Sequence, residues 1–198
     1  MGNRRAIELS AIEYVFLDRD GVLNRQPSGE RFVTCPEALE LLPGVEDAVA
    51  ALNRSGRKVI VITNQRGIAL GLYSHDDLAR IHSRLRDRLA ARGAHLDGIY
   101  VCPHDEGQCN CRKPLTGLFE QAFLDFPAAR PENSLMAGDS LRDVEAGMRL
   151  GVRTVFVAGE MGTNSIEADR AKTLALLSVA SLPELVHRYL CLRNGLLC

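Results

Sequence analysis

The chain lacks a charge excess, a long apolar run, an internal repeat and a low-complexity stretch, and each absence excludes a class of function. Its 198 residues carry 24 Lys and Arg against 25 Asp and Glu, a formal charge of −1 with the five His neutral. So even a balance gives no bulk attraction to nucleic acid or an anionic membrane, although a local basic patch is still allowed. No apolar stretch approaches the ~20 residues that span a bilayer, and Met1-Gly2-Asn3-Arg4-Arg5 leads into no hydrophobic signal core. The same start fails as an acylation signal, because position 6 is Ala where Ser or Thr is required. A soluble, cytoplasmic chain is expected, with no nucleic-acid or membrane partner.

What is there is ordinary globular material: 46% hydrophobic and 25% charged residues, enough for one sizeable core. A single domain over residues 1–198 is expected, its motifs between about 14 and 157 and residues 158–198 completing it. Short runs rich in β-branched and aromatic residues alternate with amphipathic stretches, the pattern of a parallel sheet covered by helices. The runs are Tyr14 to Leu17, Lys58 to Thr63, Gly98 to Cys102, Ser134 to Gly138 and Arg153 to Val157. Four of the five end where the notable polar residues begin. Ligands of open α/β sheets bind outside the carboxyl ends of the strands, so these ends should converge on one site.

Caps and apolar spacing mark the helices. Ser74 with Asp77 starts one whose Leu78, Ile81, Leu85 and Leu89 share a face before Gly93. Val45, Val49 and Leu52 before Gly56 indicate a second, Leu118, Ala122 and Phe126 a third, Val144 and Met148 before Gly151 a fourth, and Ser181 with Glu184 a last. The stretch 172–180 reads as strand or helix, since a short apolar run does not decide by periodicity.

Asp18 and Asp20, two residues apart at a strand end, can point the same way. One could attack an electrophile while the other handles a proton, and a divalent cation would relieve their repulsion. Gly21 permits a sharp exit from the strand; a solvated Asp-x-Asp-Gly turn is the plainer alternative. Thr63, Asn64 and Gln65 offer a hydroxyl, two amides and backbone N–H groups suited to phosphate oxygens. Arg112 and Lys113 could bring positive charge to a phosphoryl group. Asp139 sits where it can bind a metal, with Asp143 one helical turn on to orient it, although an N-cap with a first-turn acid has the same appearance.

Cys102, His104, Cys109 and Cys111 lie within ten residues. Four soft or borderline ligands in one loop suit a closed tetrahedral zinc site, with no open position and hence a structural role, against free cysteines that merely lie close. Such a site would fix the loop that carries Arg112 and Lys113. Cys35, Cys191 and Cys198 read as unpaired thiols without an assigned role, and His75 and His82 as surface or packing residues.

Taken together, Asp18-x-Asp20-Gly21, Thr63-Asn64-Gln65, Lys113 and Gly138-Asp139 through Asp143 resemble the four motifs of the haloacid dehalogenase superfamily of phosphatases. Within it, Leu17 to Gly21, Thr63 to Gln65 with Gly67-Ile68, and Cys102-Pro103-His104 through Cys109-Asn110-Cys111-Arg112-Lys113-Pro114 resemble the D-glycero-D-manno-heptose 1,7-bisphosphate phosphatases. Histidinol-phosphate phosphatases share nearly all of this.

The resemblance implies a Rossmann-like sheet and a magnesium-dependent phosphatase for a small phosphorylated sugar, with heptose 1,7-bisphosphate the first candidate and its C7 phosphate the one removed. It makes Asp18 the nucleophile and Asp20 the general acid and base. Magnesium is held by the Asp18 and Asp139 carboxylates and the Asp20 carbonyl. Thr63 and Lys113 stabilise the transferring phosphoryl group, and Arg112 meets the rest of the substrate. Arg66 stands where many relatives carry a small polar residue, and the stretch 25–34 is longer than expected; both bear on substrate choice. The intervals after Asp18 and around the cysteines are too short for a separate cap domain, and a monomer is expected. The rivals are a signalling receiver domain, a zinc-stabilised interaction module and a polynucleotide end phosphatase. Chain order, the retained acid pair and the neutral charge tell against them in turn.

Overall fold

A computed structural model describes residues 9–26, 32–159 and 165–190. Six parallel strands form one sheet: β1 (Tyr14–Leu17), β2 (Lys58–Asn64), β3 (Gly98–Cys102), β4 (Ser134–Gly138), β5 (Arg153–Val157) and β6 (Leu177–Val179), in the order β3-β2-β1-β4-β5-β6. The order reverses between β1 and β4, whose register pairs Leu17 with Ala137. A crevice therefore opens at their carboxyl ends, where the connections diverge to opposite sides.

Strand alternation sorts the two faces. Val15, Leu17, Val59, Val61, Leu135 and Ala137 pack with α1 (Val45–Arg54), α2 (His75–Ala90) and α6 (Leu182–Leu185). Tyr14, Phe16, Ile60, Ile62 and Met136 pack on the other face, with Leu118, Phe119 and Ala122 of α3 (Gly117–Asp125) and Ala146 of α4 (Leu141–Leu150). The caps behave as their residue types require. Ser74 Oγ accepts from the Asp77 amide while Asp77 Oδ2 accepts from the Ser74 amide, and Leu78, Ile81, Leu85 and Leu89 are all buried.

The stretch 172–180 resolves into both alternatives. Its start completes α5 (Ile166–Leu174), and its end forms β6, which pairs Val179 with Val157 of β5. A sheet of six strands results where sequence periodicity marks five, because β6 is only three residues long and is set by its neighbour. Cys191, Cys198 and the acylation position lie outside the described residues, as do residues 27–31 of the stretch 25–34. Among the described residues, no helix is long and apolar enough to cross a membrane.

Candidate functional site

The strand ends meet as the topology requires. Asp18 leaves β1, its backbone N–H donating to the Ala137 carbonyl of β4 at 3.0 Å. Asp139 follows β4 and Asp143 lies in the first turn of α4. One carboxylate oxygen from each of Asp18, Asp139 and Asp143 falls within 4.8 Å of the others. Two glycines permit this approach. A Cβ at Gly138 would stand 2.2 Å from the Asp143 Cβ, and one at Gly21, where φ is +84°, would stand 2.0 Å from Asp139 Oδ2.

Lys113 reaches the same point from the loop after β3. Its Nζ lies 2.8 Å from Asp18 Oδ1 and 2.6 Å from Asp143 Oδ1, and donates to the Ile62 carbonyl at 2.7 Å. Asn64 holds its backbone: Asn64 Nδ2 donates to the Lys113 carbonyl and Asn64 Oδ1 accepts from the Lys113 amide, both at 3.1 Å. Asp143 does two tasks at once. Its Oδ2 accepts from the Ser140 backbone N–H at 3.0 Å and from Ser140 Oγ at 2.6 Å, capping α4, while Oδ1 faces the ammonium.

Burial raises the Asp18 carboxyl to about 7 against the attraction of Lys113, with Asp143 and Asp20 adding repulsion. The same desolvation, with repulsion from Asp18 and Asp143, raises Asp139 well above the usual carboxylate range. Three carboxylates share one ammonium here, so with all three ionised two negative charges are uncompensated. Hard oxygen donors in this charge state fit a divalent cation such as magnesium.

The Asp20 carboxylate belongs to a different set of contacts. Burial pushes its pKa upward, but the adjoining Arg19 guanidinium, together with hydrogen bonds from Asn24, Arg19 and Gln65, holds it below the ordinary value. Arg112 is 9% exposed and approaches Glu106 at 3.8 Å, while Arg66 pairs with Asp105 at 2.6 Å.

The cysteine cluster closes as the spacing suggests. Cys109 Sγ lies 3.5 Å from Cys102 Sγ and 3.2 Å from Cys111 Sγ, and His104 Nδ1 lies 3.8 Å from Cys102 Sγ and 3.4 Å from Cys111 Sγ. Burial opposes ionisation of Cys109, yet hydrogen bonds from the Cys111 thiol and the Cys111 and Arg112 backbone bring it down to about 7. Three thiols and an imidazole around one point, with a thiol already inclined to ionise, fit zinc.

Known proteins are similar to this chain. A HAD-hydrolase-like family model matches residues 110–184. The D-glycero-alpha-D-manno-heptose-1,7-bisphosphate 7-phosphatase of Mycobacterium bovis is 42% identical over 132 residues, covering 66% of this chain and 69% of its own. The D-glycero-beta-D-manno-heptose-1,7-bisphosphate 7-phosphatase of Haemophilus influenzae is 33% identical over 88% of this chain and 96% of its own. This chain belongs to the D-glycero-D-manno-heptose-1,7-bisphosphate 7-phosphatase family. The fold agrees. A crystal structure of the D,D-heptose 1,7-bisphosphate phosphatase of B. bronchiseptica, complexed with magnesium and phosphate, superposes with a TM-score of 0.76 at 29% identity, covering 88% of this chain and 96% of that one.

Within this heptose-bisphosphate phosphatase frame, the candidate residues divide by position. Asp18, Asp139, Asp143 and Lys113 meet directly, and Asn64 fastens Lys113 to the end of β2. Thr63 is 1% exposed, its hydroxyl accepting from Gln65 Nε2 at 2.9 Å with its own proton left to donate. Gln65 is 1% exposed, with both ends of its amide engaged inside the protein. Arg66, partly exposed, and Arg112, almost buried, lie against the acidic pair Asp105 and Glu106.

Sequence reasoning passed over Arg19 and Tyr73, and read His82 only as a surface or packing residue. Arg19 is fully buried, its Nη1 donating to His82 Nε2 at 3.2 Å, and Tyr73 Oη donates to Gln65 Oε1 at 2.6 Å. A signal existed for His82, which lies four residues beyond Leu78 and three before Leu85 and so flanks the apolar stripe of α2. For Arg19 the signal was its place between two site carboxylates, from which strand alternation turns it inward.

Proposed function

We propose that this chain is a magnesium-dependent phosphatase that removes the 7-phosphate of D-glycero-D-manno-heptose 1,7-bisphosphate through an aspartyl-phosphate intermediate. The observation that carries the reading is the Lys113 ammonium seated between Asp18 and Asp143, beside an Asp139 whose charge it does not balance. The names of the relatives and the magnesium and phosphate of the B. bronchiseptica structure support it.

Asp18 Oδ attacks phosphorus as the ester P–O bond breaks, and Asp20 gives its proton to the departing sugar oxygen. A water then attacks the phosphorus of the acyl phosphate and yields its proton to Asp20, releasing phosphate and restoring the Asp18 carboxylate. Thr63 and Lys113 donate to the phosphoryl oxygens in both steps, where phosphoryl transfer needs placement and charge neutralisation. Magnesium, held by the Asp18 and Asp139 carboxylates and the Asp20 carbonyl with Asp143 behind them, would neutralise the phosphoryl charge. Arg112, with Arg66 farther out, receives the distal phosphate. Zinc on Cys102, His104, Cys109 and Cys111 holds the loop that presents Arg112 and Lys113.

In this reading residues 158–198 complete one domain with the motif-bearing core, supported by the pairing of β6 with β5 and the packing of α6 on the α1 face. It acts as a cytoplasmic monomer on a small phosphorylated sugar, with no nucleic-acid or membrane partner. Phosphate release should be compared over both anomers of heptose 1,7-bisphosphate, hexose bisphosphates and histidinol phosphate, with and without magnesium. The heptose bisphosphates are expected to lead by kcat/KM; a preference for histidinol phosphate, or turnover unaffected by chelation, would overturn the reading.

A further inference from the structure

Asp20 is held by more donors than a carboxylate on a turn needs. Its Oδ1 accepts from Arg19 Nη2 at 2.9 Å, Arg19 Nε at 3.2 Å and Asn24 Nδ2 at 2.9 Å, and its Oδ2 from Arg19 Nη2 and Gln65 Nε2, each at 2.9 Å. The guanidinium is completely buried, whereas the Asp20 side chain is 17% exposed. A fork of this kind sets the plane of the carboxylate as well as its place.

The guanidinium is itself held from behind. Nη1 donates to His82 Nε2 at 3.2 Å and Nη2 to Gln65 Oε1 at 3.1 Å. Gln65 is fixed in turn by Tyr73 Oη, which donates to its Oε1 at 2.6 Å, and by the Thr63 hydroxyl, which accepts from its Nε2 at 2.9 Å. A buried cation with one carboxylate partner and two neutral supports is costly unless its geometry is used.

We infer that Arg19, braced by His82 and Gln65, is a positioning residue that fixes the plane of Asp20 and directs its proton toward the departing ester oxygen. The inward lone pairs of Asp20 already accept from Arg19, Asn24 and Gln65. With both oxygens tied to these donors the carboxyl has little freedom to turn, so the proton it gives leaves in the plane that Arg19 sets. The inference rests on the proposed role of Asp20 as proton donor, so its test separates the two.

The test is leaving-group dependence of kcat/KM, which reports the steps through phosphoenzyme formation and so isolates proton donation from the later hydrolysis. Glycerol phosphate, whose alkoxide leaves poorly without a proton, and 4-nitrophenyl phosphate, whose phenolate departs without one, are the probes. Asp20→Asn should lose about a hundredfold or more on the alkyl ester and far less on the aryl ester. Arg19→Met should lose about tenfold or more on glycerol phosphate and less than about threefold on 4-nitrophenyl phosphate, with Arg19→Lys partly restoring the first. His82→Leu, which leaves every donor to Asp20 in place, should show the same signature more weakly and serves where Arg19→Met does not fold.

Equal losses on both esters in Arg19→Lys and His82→Leu would make Arg19 structural only and overturn the inference while Asp20→Asn keeps its signature. A uniform loss in Asp20→Asn would instead overturn the donor role on which the inference stands.

Discussion

Lys113 Nζ and Asp18 Oδ1 are 2.8 Å apart although 95 residues separate them in the chain. The contact joins the loop after β3 to the end of β1, across β2, which lies between them. It sets an ammonium against the oxygen assigned to attack phosphorus, where it can neutralise charge as the phosphoryl group transfers.

Asp18→Asn should leave the fold intact, since the amide fills the same space and removes one of three crowded carboxylates. Turnover should fall by more than about a thousandfold, because an amide cannot form the phosphoenzyme. Phosphate release under conditions that exclude deamidation, with beryllium fluoride trapping of the native chain in the presence of magnesium, provides the check. Near-normal release by the variant would remove Asp18 from the nucleophile role.

Cys109→Ser should abolish zinc binding and lower Tm by roughly 4 °C or more, for a cost of about 2 kcal/mol in a chain of this length. Activity should fall with it, through a Lys113 loop no longer held from its cysteine side. Metal analysis should find about one zinc per native chain. A zinc-free native protein of undiminished stability would leave the cluster without its assigned role.

Arg112→Ala should lower kcat/KM for heptose 1,7-bisphosphate about tenfold more than for a monophosphate lacking the distal group, the worth of a hydrogen bond between charged groups. Arg66→Ala should show a smaller difference, because its guanidinium is already paired with Asp105. Steady-state kinetics on the two substrates decide this, and equal losses on both would exclude Arg112 from distal-phosphate recognition.

His82 should make the fold acid-sensitive. Burial, aided by repulsion from Arg19, pushes its pKa down to about 3 from an ordinary value of 6.5. The unfolded chain therefore binds a proton that the folded chain refuses between those values, and stability falls as pH drops through about 6.5 toward 3, by at most about 1.4 kcal/mol per pH unit from this residue. His82→Leu should lose less stability than the native chain between pH 7 and pH 5 in urea unfolding. An identical pH dependence in the two proteins would refute the buried neutral histidine.

Much of the candidate site was legible because its motifs are local. Two acids at a strand end, a Thr-Asn-Gln run, three Cys and a His in ten residues and an Asp pair one helical turn apart are all patterns of spacing. Spacing also marked α2, whose apolar stripe and Ser74 cap require no distant partner. It did not mark β6, three residues long, because so short a strand is decided by the edge of β5 to which it pairs.

The sequence by itself determined which chemistry is available and in what order the strand ends present it, since period, cap and ligand spacing act within a few residues. Only the tertiary structure decided which charges pair: Arg19 with Asp20 over the His82 brace, Arg66 with Asp105, Lys113 with both Asp18 and Asp143. A guanidinium beside two acids has the same local pattern whether it faces solvent or the interior. Burial by α2, more than fifty residues along the chain, makes it a support for the site, because a buried charge must take the partner that the packed elements bring to it.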